Sequence, residues 1–431
     1  MVSIATLNSA ALIALSGRML SSLFGMLLLF VVLAYTSEQL QGYYYLVLAI
    51  VGIQLFFDLG MTASVSQELA CIRASSNQKK RDAVIAGFIV SALKLYFLIA
   101  SVLSVIVFLY GYIVLSENKE FNTFYWILIS FFIGVSYFVS GLLSIINGFQ
   151  HVTNVAILTS LKSVTNIIVS GVFLYLTLDV NLSIFLGLTI SVILTIFVFI
   201  YFYIDRLHLL REISLIRYDW KGKLLFFQIK LMISWFSGYV LTHGLVLYVN
   251  YHFSIVDAGK FGAASQAITY IASLLFIALS TAQTTIGNYL SGGKVQEALD
   301  LFKNRLSIVF SLLIVFFGLF SLIFQFFSGY DWFDSLILRV PGSESFIWIA
   351  FLLLVTLGNY SLASFFRALK TDPFWILGFF QLLFLFMHLF IFSESILVLN
   401  DVYISLVLAV LICGFIPALY MFKIRVNRLN V

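Results

Sequence analysis

The chain has 431 residues, 62% of them hydrophobic and 10% charged, with a mean hydropathy of +1.08 and a formal net charge of +5. A soluble domain carries roughly a quarter charged residues, so a chain this apolar takes lipid as its solvent, and its small excess of cations is no nucleic-acid signal. The two cysteines, Cys71 and Cys413, are too few and too apolar in setting for a disulfide framework, a thiolate metal site or a redox motif.

Apolar runs of about 20 residues, enough to cross some 30 Å of hydrocarbon, fall at 10–34, 41–64, 83–115, 122–147, 154–178, 183–204, 224–250, 259–287, 306–328, 345–366, 374–393 and 402–422. They are continuous and do not alternate, which predicts helices and excludes a strand barrel. The leading residues Met1-Val2-Ser3-Ile4-Ala5 carry no basic stretch and no small-residue cleavage site follows, so the first helix is expected to be retained. The even-numbered connections collect seventeen Lys and Arg, among them Arg73, Lys79, Arg206, Lys294, Arg367 and Lys423, whereas the opposite side holds Lys119, Lys260 and Arg339. That imbalance puts both termini in the cytoplasm.

The longest inner connection, 205–223, falls at the middle of the chain and is rich in charge (Asp205, Arg206, Arg211, Glu212, Arg217, Asp219, Lys221, Lys223). It reads as a cytoplasmic linker between two six-helix bundles, 1–204 and 224–431. A weak internal likeness agrees. The second run begins Gly42-Tyr43-Tyr44-Tyr45 and the eighth Gly259-Lys260-Phe261-Gly262, each after an outer loop with an acid, Glu38 or Asp257. Halves of six helices share one orientation, as in parallel-repeat transporters.

Four cations are left inside the runs: Arg18, Lys94, Lys162 and Lys230, on the first, third, fifth and seventh helices; the clear intramembrane acid is Asp58. A charge at mid-helix costs about 2.5–3.5 kcal/mol on insertion scales. Each cation lies on a small or polar face: Ser21, Ser22 and Gly25 near Arg18; Gly87, Ser91 and Ser101 near Lys94; Thr159, Asn166 and Ser170 near Lys162; Ser234, Ser237 and Gly238 near Lys230. All four fall in the cytoplasmic half of the membrane, and a water-poor space lined by them would favour concentrated negative charge such as phosphate. The bland alternatives stay open. Lysines snorkel, and small faces also serve helix packing. Asp58, between Gln54 and Thr62 on one stripe, is either the charge partner of a neighbouring cation or a protonatable coupling site.

No G-x-x-x-x-G-K-[ST] loop, no H-E-x-x-H and no nucleophile elbow occurs, and the outer loops are too small to build a catalytic site, so no enzyme, cofactor or metal is expected.

The segment Gly42–Met61, with its Gly-Tyr-Tyr-Tyr start and Phe57-Asp58-Leu59-Gly60, resembles the second helix of bacterial polysaccharide flippases of the Wzx type. The stretches Ile233–Tyr239 through Ala258–Gly262, and Arg367–Phe374, are similar to the same family. It belongs with multidrug exporters and peptidoglycan-precursor flippases in the multidrug/oligosaccharidyl-lipid/polysaccharide (MOP) superfamily. The resemblance implies an all-α protein of about twelve helices in the bacterial inner membrane, two six-helix bundles around a central cationic cavity. The implied cargo is a polyprenyl-pyrophosphate-linked oligosaccharide, turned from the inner to the outer leaflet by alternating access for O-antigen, capsule or exopolysaccharide assembly. Implied partners are membrane lipids, a polysaccharide polymerase and a chain-length regulator. Arg18 and Lys230, on the first helix of each bundle, take the family's pyrophosphate role, while Lys94 and Lys162 rest on the residue reading alone. The rivals are a cation-coupled multidrug exporter of the same superfamily and a membrane-embedded enzyme of glycan assembly.

Overall fold

The computed structural model describes residues 9–58, 61–73, 78–149, 151–203, 224–280, 282–291, 293–368, 374–391 and 399–429, and the regular structure among them is all helical. Ten helical stretches among these residues are long and apolar enough to cross a membrane. They answer to ten of the twelve expected runs. The eighth run is met by two helices, Ile255–Ser280 and Gln283–Ser291, and the eleventh by a shorter one, Phe374–Ile391. The expected linker 205–223 lies outside the described residues. The chain divides into two compact units, Met1–Trp235 and Phe236–Val431.

The first unit holds α1 (Ser9–Tyr35), α2 (Glu38–Val51), α3 (Ile53–Asp58), α4 (Met61–Arg73), α5 (Gln78–Leu115), α6 (Thr123–Gly148), α7 (Val152–Thr177) and α8 (Val180–Tyr203). Its helices start where the capping chemistry is. The Ser37 side chain accepts from the Leu40 amide at 3.2 Å, Asn122 from Phe124 at 3.0 Å, and Asp179 from Leu182 at 3.0 Å. Each satisfies an amide that the helix itself leaves unpaired.

Lipid tails are as apolar as leucine, so close packing rather than hydrophobicity holds such helices together. Glycine supplies the closeness. A Cβ on Gly17 would run into Ser160, and one on Gly171 would touch Leu28 at 3.4 Å. Both pairs are 143 positions apart, so α1 and α7 lie parallel and in register. Gly111 against Trp126, Gly134 against Ala100 and Ser104, and Gly141 against Tyr96 likewise lock α5 antiparallel to α6.

The second unit takes over within α9 (Leu224–Tyr239), followed by a π turn, Val240–Gly244, and α10 (Leu245–His252). Next come α11 (Ile255–Ser280), α12 (Gln283–Ser291), α13 (Val295–Phe327), a short helix α14 (Asp331–Ile337) and α15 (Ser343–Ala368). The last three are α16 (Phe374–Ile391), α17 (Leu399–Val410) and, after a second π turn at Leu411–Phe415, α18 (Ile416–Leu429). The Ser254 hydroxyl caps α11, accepting from the Asp257 amide at 3.0 Å and donating to its carboxylate at 2.6 Å. Ser254 precedes Gly259 by the same five residues that separate Ser37 from Gly42, so the second helices of the two halves begin alike.

The second π turn has a local cause. Pro417 lacks an amide hydrogen, and its ring presses on the carbonyl four residues back, that of Cys413; the wider turn ahead of it absorbs the clash. Gly414, inside that turn, leaves space for the side-chain amides of Gln381 and Asn359, and Asn359 Nδ2 donates to the buried Val410 carbonyl at 3.4 Å.

Candidate functional site

α7 turns the Lys162 side chain toward α6, where Nζ donates to the Ser136 carbonyl at 3.0 Å and to Ser140 Oγ at 3.1 Å. Ser140 itself donates to the same carbonyl at 3.0 Å. Both acceptors are neutral, and among the described residues no carboxylate pairs with this lysine. An ammonium held by neutral oxygens has no counter-charge at its side, and its field reaches further in a low-dielectric setting than in water.

Arg18 follows the Gly17–Ser160 crossing, so the α1–α7 register sets it level with Leu161, one residue from Lys162. Its side chain is exposed. Two of the four expected cations therefore sit at one depth on one helix pair. Lys94 is on α5, also exposed, at the head of an outward face whose next members are Phe97, 65% exposed, and Leu98, 60% exposed. Lys230 belongs to α9, and its side chain lies outside what is described.

The small faces have packing partners of their own. Asn166 and Ser170 meet α8 where Gly187 comes closest, Gly17 meets Ser160, and the hydroxyls of Ser91 and Ser101 fold back on the carbonyls of Gly87 and Phe97 at 2.8 and 2.9 Å. Asn166, Ser170 and Gly17 thus serve helix contact, the Ser91 and Ser101 hydroxyls are tied within α5, and Lys162 is received by Ser136 and Ser140 of α6.

Asp58 ends α3 and accepts from the Thr62 hydroxyl at 2.9 Å; among the described residues no cation pairs with it. Beside it lie two buried tyrosines, Tyr96 and Tyr137, with ring centroids 5.6 Å apart. Tyr137 donates to the Phe57 carbonyl at 3.1 Å, and the Tyr96 hydroxyl meets Ser144 at 3.1 Å. α6 thus serves two polar sites, meeting Lys162 through Ser136 and Ser140 and the tyrosine pair through Tyr137 and Ser144.

In the second unit Ser237 donates to Gln381 Oε1 at 3.5 Å, and Asn359 Oδ1 is buried without a partner among the described residues. The tyrosines and these amides were not singled out from the sequence; one polar residue in an apolar run looks like any other until its neighbours are known. A further polar face on α11 had a visible signal, the spacing Gln266, Thr269, Tyr270, Ser273 along one side of a helix.

Compared with solved structures, the chain superposes along nearly its whole length on an inward-facing multidrug-resistance MATE family transporter of the MOP superfamily, with a TM-score of 0.64 and 13% identity over 97% of this chain and 99% of that one. An outward-facing MATE structure gives 0.62 and 15%, covering 97% and 96%. The chain has the MOP-superfamily fold. At these identities the likeness shows the MOP fold alone, and it fits the all-helical, multi-pass reading. A third match, 14% identical with a TM-score of 0.59 over 98% and 96% of the two chains, is a MOP-superfamily transporter from Pyrococcus furiosus described as having a binding pocket of reverse polarity that suggests a different function. No protein-family model and no curated protein sequence matches the chain.

Proposed function

We propose that the protein is an alternating-access transporter that flips a polyprenyl-pyrophosphate-linked oligosaccharide across a bacterial inner membrane, working as two bundles, 1–204 and 224–431, joined by the linker 205–223. The observation that carries the reading is Lys162, a cation inside a membrane bundle whose partners are the neutral Ser136 carbonyl and Ser140 hydroxyl, with Arg18 at the same depth. A lysine with neutral partners and no carboxylate beside it favours a doubly charged phosphate group over a cationic drug. Matching folds solved facing inward and outward support the alternating-access part. The Pyrococcus furiosus transporter, whose binding pocket of reverse polarity suggests a different function, supports a reading in which this fold serves more than multidrug transport.

In this reading the lipid tail stays in the bilayer while Arg18, Lys162 and Lys230 hold the pyrophosphate. Lys94, grouped with them by sequence, is the cation whose surroundings fit a snorkelling lysine, and it contributes least. An inside-negative potential drives an anion outward by about 2.3 kcal/mol per charge per 100 mV. Asp58, paired with Thr62 rather than with a cation, is left as a protonatable coupling group.

The test is transfer of the lipid-linked oligosaccharide between leaflets of proteoliposomes, with the wild type against Lys162→Ala and Arg18→Ala. Each variant should insert normally and lose at least 10-fold in rate. Full transfer by both, or export of a cationic dye in its place, would remove the flippase reading in favour of the drug exporter. Lengthening of the glycan without transfer would point to the assembly enzyme.

A further inference from the structure

The apolar runs place Arg305 and Arg425 among the cations of the inner connections, since one run begins at 306 and the last ends at 422. The structure places both inside helices, Arg305 in α13 and Arg425 in α18, each about two to three turns from the helix start. On α13 the buried residues Ala298, Phe302, Val309 and Leu313 follow one stripe, and Arg305 falls within it. On α18 the buried Ala418 and the Phe422 packed against its cluster define a stripe that Arg425 continues.

Aromatic contacts join the two helices. The Phe302 and Phe422 rings are 5.7 Å apart, and Phe365 of α15 closes a triangle at 5.1 and 4.9 Å. Each arginine follows its phenylalanine by three residues, about 60° round the axis and about 4.5 Å along it. α13 leaves the inner end of the bundle and α18 returns to it, so the two offsets fall on the same side of the contact. A Cβ leans toward its helix's N-terminus. Arg305 therefore leans to the inner end and Arg425 away from it, and both come back toward the level of the rings.

Among the described residues nothing answers these two charges. Neither arginine makes a hydrogen bond or an ion pair there, and the Nε of each is closed to water. The acids of α13 are exposed and engaged one turn away, Glu297 with Lys294 at 3.3 Å and Asp300 with Gln296 at 3.2 Å. α12, α16 and α18 contain no acid, that of α15 is Glu344 at its far end, and Asp372 lies outside the described residues.

A shielded guanidinium nitrogen without an acceptor is costly, and two like charges at one junction repel. One anion between them relieves both. The fork made by Nε and a terminal nitrogen receives two oxygens of a phosphate, and a phosphate has oxygens enough for two such forks.

We infer that Arg305 and Arg425, beside the Phe302–Phe365–Phe422 triangle, form a phosphate-binding site that ties α13 to α18 at the inner end of the second unit. Its phosphate is the head of an anionic phospholipid or a free phosphate ion. The site shares no residue with the cations of the flippase reading and does not depend on the cargo.

The test uses the full chain in neutral detergent and phosphate-free buffer. Binding of phosphatidylglycerol and of phosphatidylcholine is read by native mass spectrometry, and inorganic phosphate by the rise in melting temperature that it gives. Wild type is set beside Arg305→Gln/Arg425→Gln and beside Lys303→Gln/Lys423→Gln, which removes two exposed cations from the same helices. The arginine pair should lose about 10-fold or more in affinity and the lysine pair less than about 3-fold. Phosphatidylglycerol bound in preference to phosphatidylcholine, with no effect of inorganic phosphate, assigns the site to lipid; a rise with inorganic phosphate that the arginine pair lacks assigns it to the free ion. Equal losses in the two pairs, or no binding of either probe, overturn the site. Should the glutamine pair fail to fold, Arg305→Lys/Arg425→Lys decides, since it keeps both charges and loses the forks. It should bind about 3-fold more weakly or worse, and unchanged binding overturns a guanidinium site. Asp372→Asn should leave binding as it is. A gain of about 10-fold there would show a carboxylate of the chain occupying the arginines and would overturn the proposal as well.

Discussion

On α5, Lys94 stands on a side of the helix that continues outward as Phe97, Leu98, Val105 and Ile113. On α7, Lys162 turns the other way, across a helix contact, and ends on Ser136 and Ser140 of α6. Both are lysines about ten residues into a membrane helix, with serines at helical spacing. The difference lies in what the next helix offers. α6 presents to α7 a serine carbonyl and a serine hydroxyl that receive an ammonium, whereas on the outward side of α5 the exposed Ser101 hydroxyl is turned back on the Phe97 carbonyl. The same residue type thus serves as a fixed interior charge in one place and as an amphipathic surface chain in the other.

The largest effect should come from Lys162→Ala, which removes two charge-assisted hydrogen bonds and leaves a gap between α6 and α7. We expect about 2 kcal/mol of lost stability together with the loss of transfer. Lys162→Met, which keeps the length, should melt within about 1 kcal/mol of the wild type and still fail to transfer; a Met variant that works would make the charge dispensable. Gly141→Ala comes next. Its Cβ would lie 2.5 Å from the Tyr96 ring, a rigid group that cannot step aside, so detergent-solubilised protein should lose about 1–3 kcal/mol by shifting α5 on α6. A silent Gly141→Ala would mean that α5 is held by something other than this contact. Ser140→Ala takes one of two acceptors from Lys162 and should cost about 1 kcal/mol, with a partial loss of rate; no change in either would show that the Ser136 carbonyl suffices. Lys94→Leu should do least, within about 0.5 kcal/mol in melting and within 3-fold in transfer. A 10-fold loss there would place Lys94 with Lys162 and erase the contrast.

What could be read from the amino acids alone was the solvent, the helices and the count of charges within them. Hydropathy runs are long and unambiguous, and the eighth run differed only in being two helices, α11 and α12, since residues such as Thr281, Gln283 and Thr284 carry no strong stop signal. The facing of each charge was not legible. Helical spacing assigned Asn166 and Ser170 to the side of Lys162, which is correct along α7, but those two face α8 while the lysine reaches α6. Which neighbour fills which groove depends on glycines of another helix, such as Gly187 of α8, whose partner no local pattern names. The tyrosines around Asp58 were hidden for the same reason. Tyr96 and Tyr137 lie 41 positions apart in sequence and meet through the antiparallel register of α5 and α6.

The π turn at Leu411–Phe415 has an effect on everything after it. One extra residue in a turn rotates the remainder of a helix by about 100° about its axis. Tyr403 and Ser405, above the turn, and Lys423 and Arg425, below it, therefore answer to two different angular origins, and a single wheel drawn through 399–429 misassigns one end or the other. Deleting one residue from the turn would straighten the hydrogen-bond ladder and swing the basic tail to another compass bearing, so its length there is a setting for which way the last arm points.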